Sequence, residues 1–258
     1  AMVEVEIVHS CADGRRVTTK VSCPPFPRKA AAQFNKNPKH TVAALREGKE
    51  ELSDRRYSYL EIAQWFLTAE RLSKKSIGDY MGRNDEHAVK TIDAFLSLLD
   101  FGPLSFDEAL RFFLSLFRLP GEAQQIDRIM QKFADRYTEA HPDTFASADT
   151  AYILAFSLIM LNTDAHSDQI PVKMTLDQFI SNNRGIGENG SDLPDALLTQ
   201  LYQSIQANEI IIEQREYIKS VREGWLGKQG GRVKTWKRRY VILSGNVLYY
   251  FKSPKDKA

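Results

Sequence analysis

The sequence predicts a mainly α protein, a bundle or short superhelix of about ten helices with β segments at both ends. Three observations carry this. From about Ala30 to Asn208 apolar residues recur at helical spacing with no convincing strand. Residues 3–22 alternate apolar and polar, and from Gly224 the period changes to two again. Capping residues stand where individual helices start, at Asn84-Asp85-Glu86, Ser105 to Glu108 and Asp192-Leu193-Pro194.

The elements follow in order. Val3, Val5 and Ile7 alternate with Glu4 and Glu6, Asp13-Gly14 marks a turn, and Arg16 to Val21 returns, which fits a β-hairpin. Pro24-Pro25-Phe26-Pro27 reads as a stiff linker. Leu60, Ile62, Ala63, Phe66 and Leu67 form one helical face. Asn84-Asp85-Glu86 starts a helix holding Val89, Ile92, Phe95, Leu96 and Leu99; acids in a first turn suit the helix dipole. Ser105 to Glu108 is a capping box opening a helix with Leu110, Phe113, Leu114 and Phe117. Ile126, Ile129, Met130, Phe133 and Tyr137 mark the helix after Glu122, and Asp192-Leu193-Pro194 begins another with Leu197, Leu201 and Ile205. Residues 209–223 read as a connector helix or a docked strand. Three strands are then expected: Trp225 to Lys228, Thr235 to Leu243, and Val247 to Phe251.

Composition bounds the class. The 258 residues are 43% hydrophobic and 26% charged, ordinary for a globular chain. Net charge is +2, but residues 224–258 carry nine Lys or Arg and one acid. That leaves 26 basic and 32 acidic residues for 1–223. An acidic body with a basic tail points to a polyanionic partner, membrane phospholipid or nucleic acid. The aromatic residues of the tail fit a β core better than base stacking, so nucleic acid is the weaker reading. Cys11 and Cys23 are too few for a disulfide framework and read as reduced cytosolic thiols. No signal peptide is expected, and the longest apolar run, 151–161, is far short of the ~18–20 residues that span a bilayer. Membrane contact is expected to be peripheral. No metal, cofactor or nucleophile–base pair is expected. His166 has no partners at metal-ligand spacing and reads as a packed or capping histidine.

Two segments carry chemistry. In Phe117-Arg118-Leu119-Pro120-Gly121-Glu122-Ala123-Gln124, Pro120 stops one helix and Gly121 frees the backbone, so Glu122 stands on an exposed elbow. A glutamate in a first turn has an ordinary use as well, stabilising the dipole by ~0.3–1 kcal/mol. Arg118 either orients the corner through hydrogen bonds to nearby carbonyls or stands solvated. The second segment, 151–161, is apolar on every face, the mark of a buried helix unless one side opens into a groove.

Together, Phe-Arg-Leu-Pro-Gly-Glu-Ala-Gln and the run from Ala151 to Thr163 resemble the two signature motifs of the Sec-seven domain, the exchange-factor module acting on Arf-family GTPases. The resemblance implies a Sec-seven-type superhelix. It makes Glu122 a finger inserted into the GTPase nucleotide site, within a loop of Arg118, Pro120, Gly121 and Gln124. It implies a groove of Tyr152, Phe156, Ile159, Met160, Asn162 and Asp164 that receives the switch segments of the GTPase. Ser167 stands where the family usually has Asn. Ser157, Asp164 and Met174 match positions that in the family go with brefeldin sensitivity, whereas Phe156 matches the insensitive type.

Gly224-Trp-Leu-Gly-Lys228, followed by Gly230-Gly-Arg232-Val-Lys-Thr-Trp-Lys237-Arg-Arg239-Tyr, is similar to the phosphoinositide-binding signature of cytohesin pleckstrin-homology (PH) domains. By that resemblance Lys228, Arg232, Arg239 and Tyr250 hold inositol phosphates, and residues 224–258 are the first three β-strands of a truncated PH domain. The organisation implied is an N-terminal extension (1–29), an exchange domain (30–208), a linker that covers the groove (209–223) and the partial PH domain. The chain is then expected to be a monomer and a cytoplasmic, peripherally membrane-associated exchange factor without covalent chemistry. A phosphoinositide-binding adaptor lacking catalysis is the rival.

Overall fold

The computed structural model describes residues 2–11, 13–145, 147–211, 222–229, 236–244 and 247–251. It divides into two compact units, Ala1–Ile212 and Glu213–Ala258.

The first unit opens with the expected hairpin. Strands β1 (Val3–Ser10) and β2 (Arg16–Cys23) pair antiparallel, with Val5 opposite Val21. Gly14 takes φ 86° in the turn, a conformation glycine adopts without strain. Ten α-helices follow among the described residues: α1 (Ala30–Lys36), α2 (Pro38–Glu47), α3 (Tyr59–Thr68), α4 (Lys74–Met81), α5 (Glu86–Ser97), α6 (Phe106–Ser115), α7 (Ala123–Ala140), α8 (Ala148–His166), α9 (Leu176–Asn182) and α10 (Asp195–Ala207).

Local chemistry accounts for many of the starts. Asp85 caps α5 by accepting from the Ala88 N–H. The Ser105–Glu108 box forms at α6, where Ser105 N–H donates to the Glu108 carboxylate at 2.9 Å. Ser58 with Glu61 and Thr175 with Gln178 do the same for α3 and α9. Pro194, expected inside the last helix start, is the N-cap of α10.

Two groups of rings fill the interior. Phe34, Trp65, Phe66 and Tyr80 pack together among α1, α3 and α4. Phe101, Phe106, Phe113, Phe133 and Tyr137 pack among α6, α7 and the loop before α6. At roughly 1.5–3 kcal/mol per fully buried large apolar side chain, these clusters dominate the stabilisation.

The N-terminal segment is part of this body. His9 sits 5.1 Å from the Phe112 ring, and Arg15 donates to the Pro103 carbonyl and to Glu108. The stretch expected to be a stiff linker is docked: Phe26 stacks on Trp65 with an interplanar angle of 4°, and Tyr57 donates its hydroxyl to the Pro25 carbonyl. An aromatic residue between prolines finds a flat hydrophobic surface, and that burial outweighs the freedom of a spacer.

The second unit is a three-stranded antiparallel sheet in the order β3 (Arg222–Gln229), β4 (Trp236–Ser244), β5 (Val247–Phe251). Trp225 meets Tyr240 edge-on, and the Arg238 guanidinium lies over the Trp225 ring at 4.7 Å. Most of the expected linker, the turn at 230–231 and Arg232 lie outside the described residues. Among the described residues no helix is long and apolar enough to cross a membrane.

Candidate functional site

Glu122 is the N-cap of α7. Its backbone is extended (φ −98°, ψ 157°), and its carbonyl accepts from Gln125 and Ile126 N–H groups. The side chain is exposed and makes no hydrogen bond or ion pair among the described residues. The carboxylate is therefore free while the backbone beneath it is fixed.

The corner is seated on α4. Arg118 donates its backbone N–H to the Lys74 carbonyl at 3.1 Å, and Lys74 Nζ donates to the Ser115 carbonyl at 2.9 Å. At Gly78, an added Cβ would lie 1.8 Å from the Arg118 carbonyl oxygen. At Gly82 it would lie 2.8 Å from Gln125 Cβ and 3.2 Å from Pro120 Cγ. Arg128 on α7 closes the arrangement by donating Nε and Nη2 to the Gly82 carbonyl at 2.9 and 2.6 Å.

Of the two readings of Arg118 the geometry favours the solvated one, and the role of Gly121 differs from the expectation. Arg118 holds the corner through its backbone, and its guanidinium has no partner among the described residues. Gly121 has a negative φ and open space around it, so the turn does not require a glycine. The rigidity comes from buried Pro120 and the α4 contact instead. Gln124 is exposed on the first turn of α7.

Beside the corner, a cleft of about 770 Å³ opens between α7, α8 and the loop before α9. Ala123, Ile126 and Asp127 line one side; Tyr152, Phe156 and Met160 line the other; Met174 and Asn182 close the end. Ala123, the residue after Glu122, is part of the cleft wall, so the corner adjoins the cleft. Tyr152, Phe156 and Met160 recur every four residues and make one helical stripe. Met160 is 66% exposed, unusual for a large apolar side chain. The Tyr152 hydroxyl donates to the Asp127 carboxylate across the cleft, and this bond holds the phenol up at about 12.

The remaining groove residues fall elsewhere. Ile159 is half-buried against the core and does not line the cleft. Asn162 lies two residues beyond Met160, about 200° around the helix. It is 5% exposed and its amide is spent on Ile210: Nδ2 donates to the Ile210 carbonyl at 3.1 Å, and Oδ1 accepts from the Ile210 N–H at 2.7 Å. Asp164 accepts from the Met174 N–H at 2.7 Å and so carries the loop that brings Met174 to the cleft. His166 bonds the Ile205 carbonyl at 2.7 Å, tying α8 to α10.

Gly78, Gly82, Lys74 and Arg128 escaped the sequence reading. A glycine inside a short helix and another at its C-cap four residues on are a signal of close approach, but the partner loop is some forty residues away.

In the sheet, Lys228 pairs with Lys237, Leu226 with Arg239, and Val241 with Tyr250. Cross-strand partners share a face, so positions 228, 237, 239 and 250 fall on one face and position 238 on the other. Both cysteines are buried and free, and burial pushes the Cys11 thiol up to about 11. Among the described residues one group of acids and thiols, Cys11, Asp13 and Glu108, is close enough to hold an ion. Arg15 already pairs with both of its carboxylates.

These features have relatives. The Sec7 domain family matches residues 26–210 and the PH domain family residues 220–258. The chain therefore belongs to the Sec7 domain family and carries a PH domain segment after it. It is similar to cytohesin-3 of Homo sapiens, at 46% identity over 233 residues, 87% of this chain and 57% of cytohesin-3. Little more than half the length of the cytohesins it matches is thus spanned. Among solved structures, the Sec7p catalytic domain superposes with a TM-score of 0.62 at 44% identity, over 70% of this chain and 94% of that one. A Sec7 domain bound to ARF1-GDP and complexed with brefeldin A superposes with a TM-score of 0.60 at 38% identity, over 71% of this chain and 91% of that one.

Proposed function

We propose that the chain is a guanine-nucleotide exchange factor that promotes GDP release from an Arf-family small GTPase, with Glu122 as its inserted finger. One observation carries the reading: an exposed, unpartnered carboxylate on a backbone-locked corner that adjoins an open apolar cleft. The similarity to a Sec7 domain bound to ARF1-GDP supports the partner class.

The chemistry is electrostatic. In a GTPase, Mg²⁺ and a phosphate-loop lysine neutralise the diphosphate. Glu122 entering that space repels the β-phosphate, displaces the metal and offers the lysine another partner. Two unit charges ~4 Å apart interact by about 4 kcal/mol at an effective dielectric of 20. Each ~1.4 kcal/mol is tenfold, so release accelerates by about three orders of magnitude. No nucleotide bond breaks. The cleft receives the GTPase's switch segments on Tyr152, Phe156 and Met160, and the flexible Met160 re-packs as they move. Asn162 and Asp164 act from below, holding the frame. The sheet face bearing Lys228, Arg239 and Tyr250, with Arg232, recruits the chain to phosphoinositide membranes.

The test is release of a fluorescent GDP analogue from a panel of purified Arf-family GTPases. Accelerated release from at least one member supports exchange activity. Binding to phosphoinositide vesicles with no acceleration for any member would make the chain an adaptor instead.

A further inference from the structure

We propose that a second cleft, on another face of α4, binds a compact polyphosphorylated anion. The cleft encloses about 420 Å³ and lies where the ends of α1, α2 and α4 meet. Four cations line it, Lys36, Lys39, Lys75 and Arg83, against one carboxylate, Asp79. This is a local positive excess on a body whose residues 1–223 carry 26 basic and 32 acidic side chains. Lys75 is paired with Asp79, and Arg83 with Asp85 at 2.6 Å. Lys36 and Lys39 are exposed and have no ion-pair partner among the described residues. Lys39 does lie within electrostatic reach of Asp85, and Lys36 stands in the last turn of α1.

The walls favour phosphate. Helices α2 and α4 both begin at the cleft, at Asn37-Pro38 and at Ser73, so two positive dipole ends meet the single negative end of α1, which Lys36 offsets. Asn35, near the end of α1, ties α1 to the start of α4: its Oδ1 accepts from the Ser73 N–H at 2.8 Å, and its carbonyl accepts from the Ser76 hydroxyl. The frame is therefore set before a ligand arrives. Tyr80 forms part of the floor and is 1% exposed. Lysines supply point charges and Arg83 a planar donor set, the usual partners of phosphate oxygens. An inositol phosphate headgroup or a free polyphosphate presents the same chemistry. The residues lining this cleft lie roughly a third of a turn around α4 from Gly78 and Gly82, which carry the Glu122 corner. The site stands independently of the exchange reading.

The experiment uses the full chain with Lys228→Glu, Arg232→Glu and Arg239→Glu, which reverse the three cations proposed to hold inositol phosphates in the second unit. Inositol trisphosphate and pyrophosphate are titrated calorimetrically, and phosphatidylcholine vesicles with and without phosphatidylinositol bisphosphate are tested by flotation. Saturable binding of inositol trisphosphate is expected, weakened by salt. Adding Lys36→Glu and Lys39→Glu should weaken it by about tenfold or more, with the melting temperature unchanged because both side chains are exposed and unpaired. A charge-matched control, Arg16→Glu with Lys20→Glu on the hairpin, should leave binding intact. Flotation that depends on Lys36 and Lys39 identifies a lipid headgroup as the source; binding of the soluble probes without flotation identifies a free anion. Absence of binding by every probe, indifference to the Lys36 and Lys39 reversals, or an equal loss in the control would overturn the site.

Discussion

Gly78 decides where Glu122 stands. A methyl group there would lie 1.8 Å from the Arg118 carbonyl, a backbone atom that cannot swing aside. Gly78→Ala should therefore displace the corner and destabilise the fold by about 1–3 kcal/mol, the usual cost of overpacking. Thermal melting reads the stability and nucleotide release reads the displacement; normal values in both would mean the corner does not rest on α4. Asn162 acts by a different route. Asn162→Ala strips both partners from the buried Ile210 backbone and should cost about 1–3 kcal/mol in denaturant unfolding. A loss under half of that would show water replacing the amide. The exposure of Glu122 was legible in the sequence because a Pro-Gly corner before a helix is local information. The duty of Asn162 was not, because its partner lies 48 residues along the chain and leaves no periodic trace.

Helices announced by their own caps, such as α5 with Asp85 and α6 with Ser105 and Glu108, could be read directly. The docking of the hairpin could not. It depends on Arg15 reaching Glu108, 93 residues away, and on His9 meeting Phe112. This docking should be pH-sensitive. Burial holds the His9 pKa below its ordinary 6.5, so the unfolded chain takes the proton first and stability falls as pH drops through about 6.5. At Glu108 burial acts upward, but hydrogen bonds from Ser105 and Cys11 and the Arg15 charge outweigh it and hold the carboxyl below its ordinary 4.5. Its stabilisation is complete above 4.5 and is lost as pH falls through the lowered value. Melting temperature should thus decline in two stages on acidification. His9→Gln should flatten the first stage and leave the second; an unchanged first stage would place the titrating group elsewhere.

At the scale of the molecule, the change from helical to strand period marked the two units, and the charge imbalance set a basic tail apart from an acidic body. Where the first unit ends was harder to see. Ile210 is buried and held by Asn162, so the body extends past the last helix by several residues. The resemblance to cytohesins implies, as a proposal, a segment after it that covers the groove. A chain ending at residue 212 should then release nucleotide faster than the full chain while keeping its melting temperature. A chain ending at 208 should lose stability, because it lacks Ile210. Equal rates for the full chain and the chain ending at 212 would remove the covering role. The finger itself is tested most directly by one substitution. Glu122→Lys replaces an exposed, unpartnered carboxylate with a group that attracts phosphate. Fluorescent-GDP release from an Arf-family GTPase that responds to the native chain should fall to the spontaneous rate, with melting unchanged; release at the native rate by the folded variant would contradict it.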